Sequence, residues 1–220
     1  MRFAFAVMGA AVLTAAAPPA RDWTKTVVAT PEGGHAVGNP AARVRLVEYA
    51  SYTCSHCADF SQASKPALSR LVRSGSTRFE LRHLVRDGFD LSAVIVARCG
   101  GPRRFAVLSD AIFASQGTWL PRGVAFARTN EATLRAAPPA KQLRALANGS
   151  GLLAIGRAQG LTDQRLDACF ADAAAIDRLT KLTVPPEVRG TPAFFINGRF
   201  VAAADWAALQ PALAAAGARP

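Results

Sequence analysis

Cysteine is scarce in this 220-residue chain, which has four. That is too few to staple a miniprotein, so hydrophobic burial must carry most of the stability. The length suits one globular domain with a sizeable insertion. Basic runs are missing as well. The 26 cations, 22 Arg and 4 Lys, are scattered singly without interleaved aromatics. The net charge of +11 therefore gives no support to nucleic-acid binding and licenses only a weak bias toward acidic partners or membrane surfaces. No apolar run of spanning length follows the first seventeen residues, and no cysteine follows the first apolar run. A later membrane span and a lipoprotein anchor are both unsupported. Internal repeats and low-complexity segments are lacking too.

What is present at the N-terminus decides the expected compartment. Arg2 supplies a positive start, Phe3 to Ala17 form an apolar run broken only by Thr14, and Ala15-Ala16-Ala17 offer small residues for cleavage. This is the layout of a secretory signal peptide over residues 1–20, and the run is short for a membrane span. The rival reading is an uncleaved anchor. Cleavage removes only Arg2 among the charges, leaving +10 on a soluble exported protein. Export makes disulfides permissible.

Residues 21–40 are rich in Pro and Gly and read as an extended entry segment with a short edge strand near Thr26–Ala29. Arg43 to Ala50 alternate as a strand, with Val44, Leu46 and Glu48 on one face. Ala58 to Val72 read as a helix that Pro66 should kink, and Thr77 to Val85 alternate again. Leu91 to Leu182 look almost wholly helical, with loops at Gly100-Gly101-Pro102, Pro121 and Pro138-Pro139. Thr162 is placed to cap a helix running through Cys169 to about Lys181. Asn197-Gly198 between two short apolar runs predicts a type I′ hairpin, and a helix over about Asp205–Ala216 follows.

Cys54-Ser55-His56-Cys57 falls between a strand and a helix. Backbone N–H groups and the helix dipole converge on a helix N-terminus, so a thiolate at Cys54 is stabilised there. Cys57, one turn later, lies on the same face and is the candidate resolving thiol. His56 can add positive charge beside Cys54 and make the disulfide more oxidising. Half a zinc site is the bland alternative. It needs two more ligands, yet Cys99 and Cys169 are 70 residues apart and His35 and His83 are distant, so no metal is expected. A purely structural disulfide would not need the strand-to-helix placement. Gly190-Thr191-Pro192 before a strand allows either a cis or an ordinary trans proline.

Gly38-Asn39-Pro40, Leu46-Val47-Glu48-Tyr49, Cys54-Ser55-His56-Cys57 and the run Gly190 to Gly198 together resemble the DsbA-like branch of the thioredoxin superfamily. The resemblance spans nearly all of residues 36–217. It implies an α/β thioredoxin-like fold with an inserted α-helical domain: residues 21–90 and 183–220 form the thioredoxin-like part, and 91–182 the insertion. It further implies a catalytic Cys54, a resolving Cys57 and a cis-Pro192 loop that meets the substrate chain through backbone hydrogen bonds. Thr191, before that proline, would tune the thiolate. Glu48 matches the family's buried acid and could relay a proton to or from Cys57. Its alternative is an exposed strand position. Ser55 stands where the family commonly has proline, and Pro185-Pro186-Glu187 is also a departure. The dipeptide between the cysteines tunes the potential, so the resemblance leaves the oxidising strength unset.

The expected activity is dithiol oxidation of reduced or unfolded exported proteins in the periplasm, with no cofactor and a membrane re-oxidant of the DsbB type. An isomerase or reductase using the same pair is the closest rival. Only about twenty residues precede the expected fold, which leaves no N-terminal dimerisation domain for an isomerase. A non-redox binding module and a glutathione-dependent transferase are further alternatives, though the latter usually has a lone Ser where Cys54 stands. Cys99 and Cys169 are expected to pair, or else to be two separately buried thiols. Pairing would contribute up to about 4 kcal/mol by chain entropy. Trp23, Trp119 and Trp206 read as packing residues, Phe105, Leu108, Ile112 and Phe113 as a helix core stripe, and His83 as a packed or surface residue.

Overall fold

In the computed structural model, which describes residues 21–220, the alternating segment Val44–Ala50 is a strand, β3, inside a six-stranded sheet. The expected signal peptide lies outside the described residues. β3 leads into helix α1 (Ser55–Arg73) and then strand β4 (Thr77–His83), which pairs with β3 in parallel. A parallel neighbour needs a crossover, and α1 supplies it. Beyond β4 the sheet continues antiparallel through β2 (His35–Val37) to β1 (Val27–Ala29) at the edge. On the other side of β3 lies the hairpin of β5 (Ala193–Ile196) and β6 (Arg199–Val201). The strand order is thus β1-β2-β4-β3-β5-β6.

Period-2 alternation decides what each face buries. Val44 and Leu46 pack with Phe194, Ile196, Phe60 and Leu68 of α1, and Leu209 of the last helix, α10 (Trp206–Ala215). On the opposite face Val47, Tyr49 and Phe195 meet Val184 and Val188. A larger core fills the helical block and reaches Ala50, Cys54 and Cys57, so the block sits against the end of β3 where α1 begins. Its helices are α2 (Gly88–Cys99), α3 (Pro102–Ala114), α4 (Gln116–Thr129), α5 (Glu131–Ala136), α6 (Pro139–Ser150), α7 (Leu152–Ala158), α8 (Asp163–Ala171) and α9 (Ala173–Thr180). No described helix is long and apolar enough to cross a membrane.

Several details differ from the sequence reading. α1 starts three residues earlier than its apolar spacing suggests, with Cys54 as its N-cap. It also runs through Pro66. Gln62, whose carbonyl Pro66 leaves without a partner, is exposed, so solvent can satisfy it. Pro121 lies inside α4 rather than in a loop. The helix expected from Thr162 to Lys181 is two helices. Asp172 adopts a non-helical conformation between them and its carboxylate accepts the Ala175 N–H at 2.8 Å, capping α9. The expected caps and turn are in place. Thr162 accepts the Arg165 N–H at 3.2 Å, and Asn197 (φ 52°) and Gly198 (φ 80°) both adopt the left-handed conformation that a type I′ hairpin requires. Strand β2 gave no sequence signal, because three residues between glycine turns show no alternation to read.

Candidate active site

The residues from Ser51 to Cys54 leave β3 and enter α1 under the grip of three helices of the insertion. Tyr52, fully buried, is held at each of its polar groups. Its N–H donates to Asp90 of α2 at 2.8 Å, its hydroxyl donates to Ser109 of α3 at 2.9 Å, and its carbonyl accepts from the Gln116 amide of α4 at 2.7 Å. The same Gln116 nitrogen reaches the Cys54 carbonyl at 2.9 Å. Asp90 also accepts from the Ser51 hydroxyl at 2.6 Å and the Arg86 N–H at 3.0 Å. Burial pushes the Asp90 carboxyl up to about 6, against the pull of those hydrogen bonds. Sequence reasoning passed over all three residues. The available signal was a polar side chain interrupting an apolar helix face, as Ser109 does beside Leu108 and Ile112.

Cys54 and Cys57 are both free thiols with unequal surroundings. Cys57 is 0% exposed and Cys54 6%, so only Cys54 keeps an opening to solvent. Partial burial opposes ionisation of Cys54. The Thr191 hydroxyl, the Cys57 amide and thiol and the His56 amide outweigh it, and the thiol ionises below its ordinary value. In its protonated form Cys54 donates to the Thr191 carbonyl at 3.2 Å. The Thr191–Pro192 peptide bond is cis, and both residues are half-buried. Cys57 is driven the other way, first by burial and then by the charge of Glu48, so it holds its proton well above the usual thiol range. His56 lies exposed on the first turn of α1.

Glu48 is 3% exposed on β3, on the face it shares with Val44 and Leu46. Burial, with a smaller contribution from Cys54, raises its carboxyl to about 8. Its Oε1 finds no hydrogen-bond partner among the described residues, and Glu48 lines a cavity of about 260 Å³ between α1 and α3. His35, Ser61, Ser64 and Ser109 share that cavity. The structure thus brings Cys54, Cys57, Glu48, Thr191 and Pro192 together. His83, 2% exposed, packs against Tyr52 and Phe105, and burial pushes it down to about 3. Outside this site, Cys99 and Cys169 form a disulfide with Cα atoms 5.8 Å apart. Among the described residues no three His, Cys, Asp or Glu side chains gather as a metal-holding group.

A mixed sheet with a βαβ crossover, a dithiol at the crossover helix's N-terminus and a proline loop against it define a thioredoxin-fold protein with a helical insertion. The thioredoxin family model matches residues 30–215, and the chain belongs to that family. A protein-disulfide isomerase from Novosphingobium aromaticivorans is similar at 33% identity, over 83% of this chain and 96% of that one, with a TM-score of 0.76. Wolbachia pipientis alpha-DsbA1 shares the fold at 22% identity and a TM-score of 0.56, over 77% of this chain and 76% of its own. A provisionally named protein-disulfide oxidoreductase of Rickettsia bellii is 27% identical over 76% of this chain. The chain spans 58% of that relative's length.

Proposed function

We propose that this chain is a thiol–disulfide oxidoreductase that introduces disulfides into exported proteins through Cys54–Cys57. The observation that carries this is the opposed environment of the two thiols, one favouring the thiolate and keeping 6% of its surface exposed, the other fully buried and held protonated. In the oxidised enzyme a substrate thiolate attacks Cys54 Sγ. The Cys54–Cys57 bond breaks and its electron pair leaves on Cys57 as a mixed disulfide forms. Burial disfavours a Cys57 thiolate, so the departing sulfur must be protonated as it leaves. Glu48, a neutral carboxylic acid at pH 7 beside the 260 Å³ cavity, is suited to deliver that proton. A second substrate thiolate then attacks the substrate sulfur of the mixed disulfide. The substrate leaves oxidised and Cys54 departs as the stabilised thiolate. Thr191 and Pro192 offer backbone groups beside Cys54 for an extended substrate chain.

The same reading places the protein in the periplasm after cleavage of residues 1–20, with a membrane partner of the DsbB type restoring the disulfide. The name of the 33%-identical neighbour favours a second reading, disulfide isomerisation by the same pair. The reduction potential of Cys54–Cys57 separates an oxidase from a reductase using the same pair, and recovery of activity by a scrambled, fully oxidised protein reads out isomerisation. The oxidase expectation is a value well above thioredoxin's, which is about −270 mV. A value near thioredoxin's would sink the oxidase reading. Cys54→Ala should abolish oxidation of a reduced, unfolded protein, and retained activity would overturn the catalytic assignment.

A further inference from the structure

A second cavity, of about 590 Å³, lies beside the Cys99–Cys169 disulfide, and both cysteines form part of its wall. Cys169 is half-buried whereas Cys99 is 2% exposed, so an incoming nucleophile meets Cys169. Three arginines, Arg98, Arg165 and Arg178, line the same cavity. None of them belongs to an ion pair among the described residues. Arg98 is half-buried, which disfavours its charge. Its Nη1 lies 2.6 Å from the Gly33 carbonyl and 3.5 Å from His35 Nδ1, and none of its donors meets a carboxylate among the described residues. Arg165 donates Nε to the Cys99 carbonyl at 2.9 Å, which sets its charge next to the disulfide. The cavity's two carboxylates are already engaged. Asp172 caps α9, and Asp177 pairs with Lys181 at 2.8 Å. A half-buried guanidinium without a carboxylate is an incomplete arrangement, and a planar anion is the group that completes it.

We propose that this cavity binds a small carboxylate-bearing thiol and that the Cys99–Cys169 disulfide exchanges with it. The carboxylate meets the guanidinium groups and thereby brings the thiol to the sulfur. Its thiolate attacks Cys169 Sγ and forms a mixed disulfide there. The Cys99–Cys169 bond breaks and its electron pair leaves on Cys99 as a thiolate, beside Arg165. A second molecule of the thiol attacks the small-molecule sulfur of the mixed disulfide. This releases a low-molecular-mass disulfide and leaves Cys169 as a thiolate. In net terms two thiols are oxidised to one disulfide and the protein disulfide is reduced to a dithiol. This chemistry is independent of Cys54–Cys57.

The test uses the full chain carrying Cys54→Ala and Cys57→Ala, so that Cys99–Cys169 is its sole disulfide. Its reduction is followed by alkylation and mass spectrometry with 3-mercaptopropionate and with the uncharged 3-mercaptopropionamide. Rates are taken per thiolate and divided by those on a neutral reference disulfide. The expected result is a preference of about tenfold for the carboxylate, falling below twofold in Arg178→Gln and in Arg98→Gln. A preference under threefold overturns the proposal. So does a preference that survives Arg178→Gln, or reduction at one common rate set by global unfolding. Arg178 is exposed, so that variant decides the matter even if Arg98→Gln does not fold.

Discussion

Glu48 holds a carboxyl group in a place where its charge is disfavoured, with a raised value of about 8 against an ordinary 4.5. Because the folded state binds this proton more tightly than the unfolded chain does, stability is greatest below pH 4.5 as far as Glu48 is concerned. It then falls as the pH rises, and levels off above about 8. His35 and His83, pushed down to about 4 and about 3, act in the opposite sense and add stability as the pH rises toward 6.5. The Glu48 contribution is therefore read as a difference. Glu48→Gln should gain stability relative to the parent by a few kcal/mol between pH 5 and pH 9, measured by denaturant titration at each pH. The same variant should slow reduction of the Cys54–Cys57 disulfide about tenfold or more, through loss of proton delivery to Cys57. A flat stability difference across that range would remove the buried-acid assignment.

At the scale of elements, the insertion is attached to the reactive pair through side chains as well as by packing. Gln116 carries two hydrogen bonds, to the carbonyls of Tyr52 and Cys54, and so fixes where the first turn of α1 begins. Gln116→Ala should loosen that N-terminus and weaken its hold on the thiolate. The expected outcome is a Cys54 ionisation several tenths of a pH unit higher, followed by absorbance at 240 nm. The reduction potential should become more negative by roughly 10–30 mV. A purely structural role would lower the melting temperature and leave both values unmoved. This tie also shows how far a sequence can be read. Cys54 and Cys57 were legible because a four-residue motif at a strand–helix junction has local meaning. The Asn197-Gly198 turn was legible for the same reason. Gln116 and Asp90 were not, because their roles rest on residues 62–64 and 38–39 positions away, a distance that no periodicity spans. Likewise the break at Asp172 depends on a single backbone conformation within an otherwise good helical pattern.

For the whole molecule, Cys99–Cys169 joins the end of α2 to α8 across 70 residues. Removing it as Cys99→Ala/Cys169→Ala should cost about 2–4 kcal/mol of unfolding free energy, measured against the oxidised parent. The proposed dithiol oxidation at Cys54 should persist at temperatures where the variant stays folded. An unchanged unfolding midpoint would mean that the bridge constrains little in the unfolded chain.

The hydrogen bond from Cys54 to the Thr191 carbonyl spans 137 positions of the chain. During synthesis the two cysteines are therefore made long before the segment that covers them. A partly made chain carries a thiol pair with no partner strand to discriminate among substrates. Under the proposed function, selectivity is thus a property of the finished protein, and a chain truncated before residue 191 is expected to react as a generic dithiol.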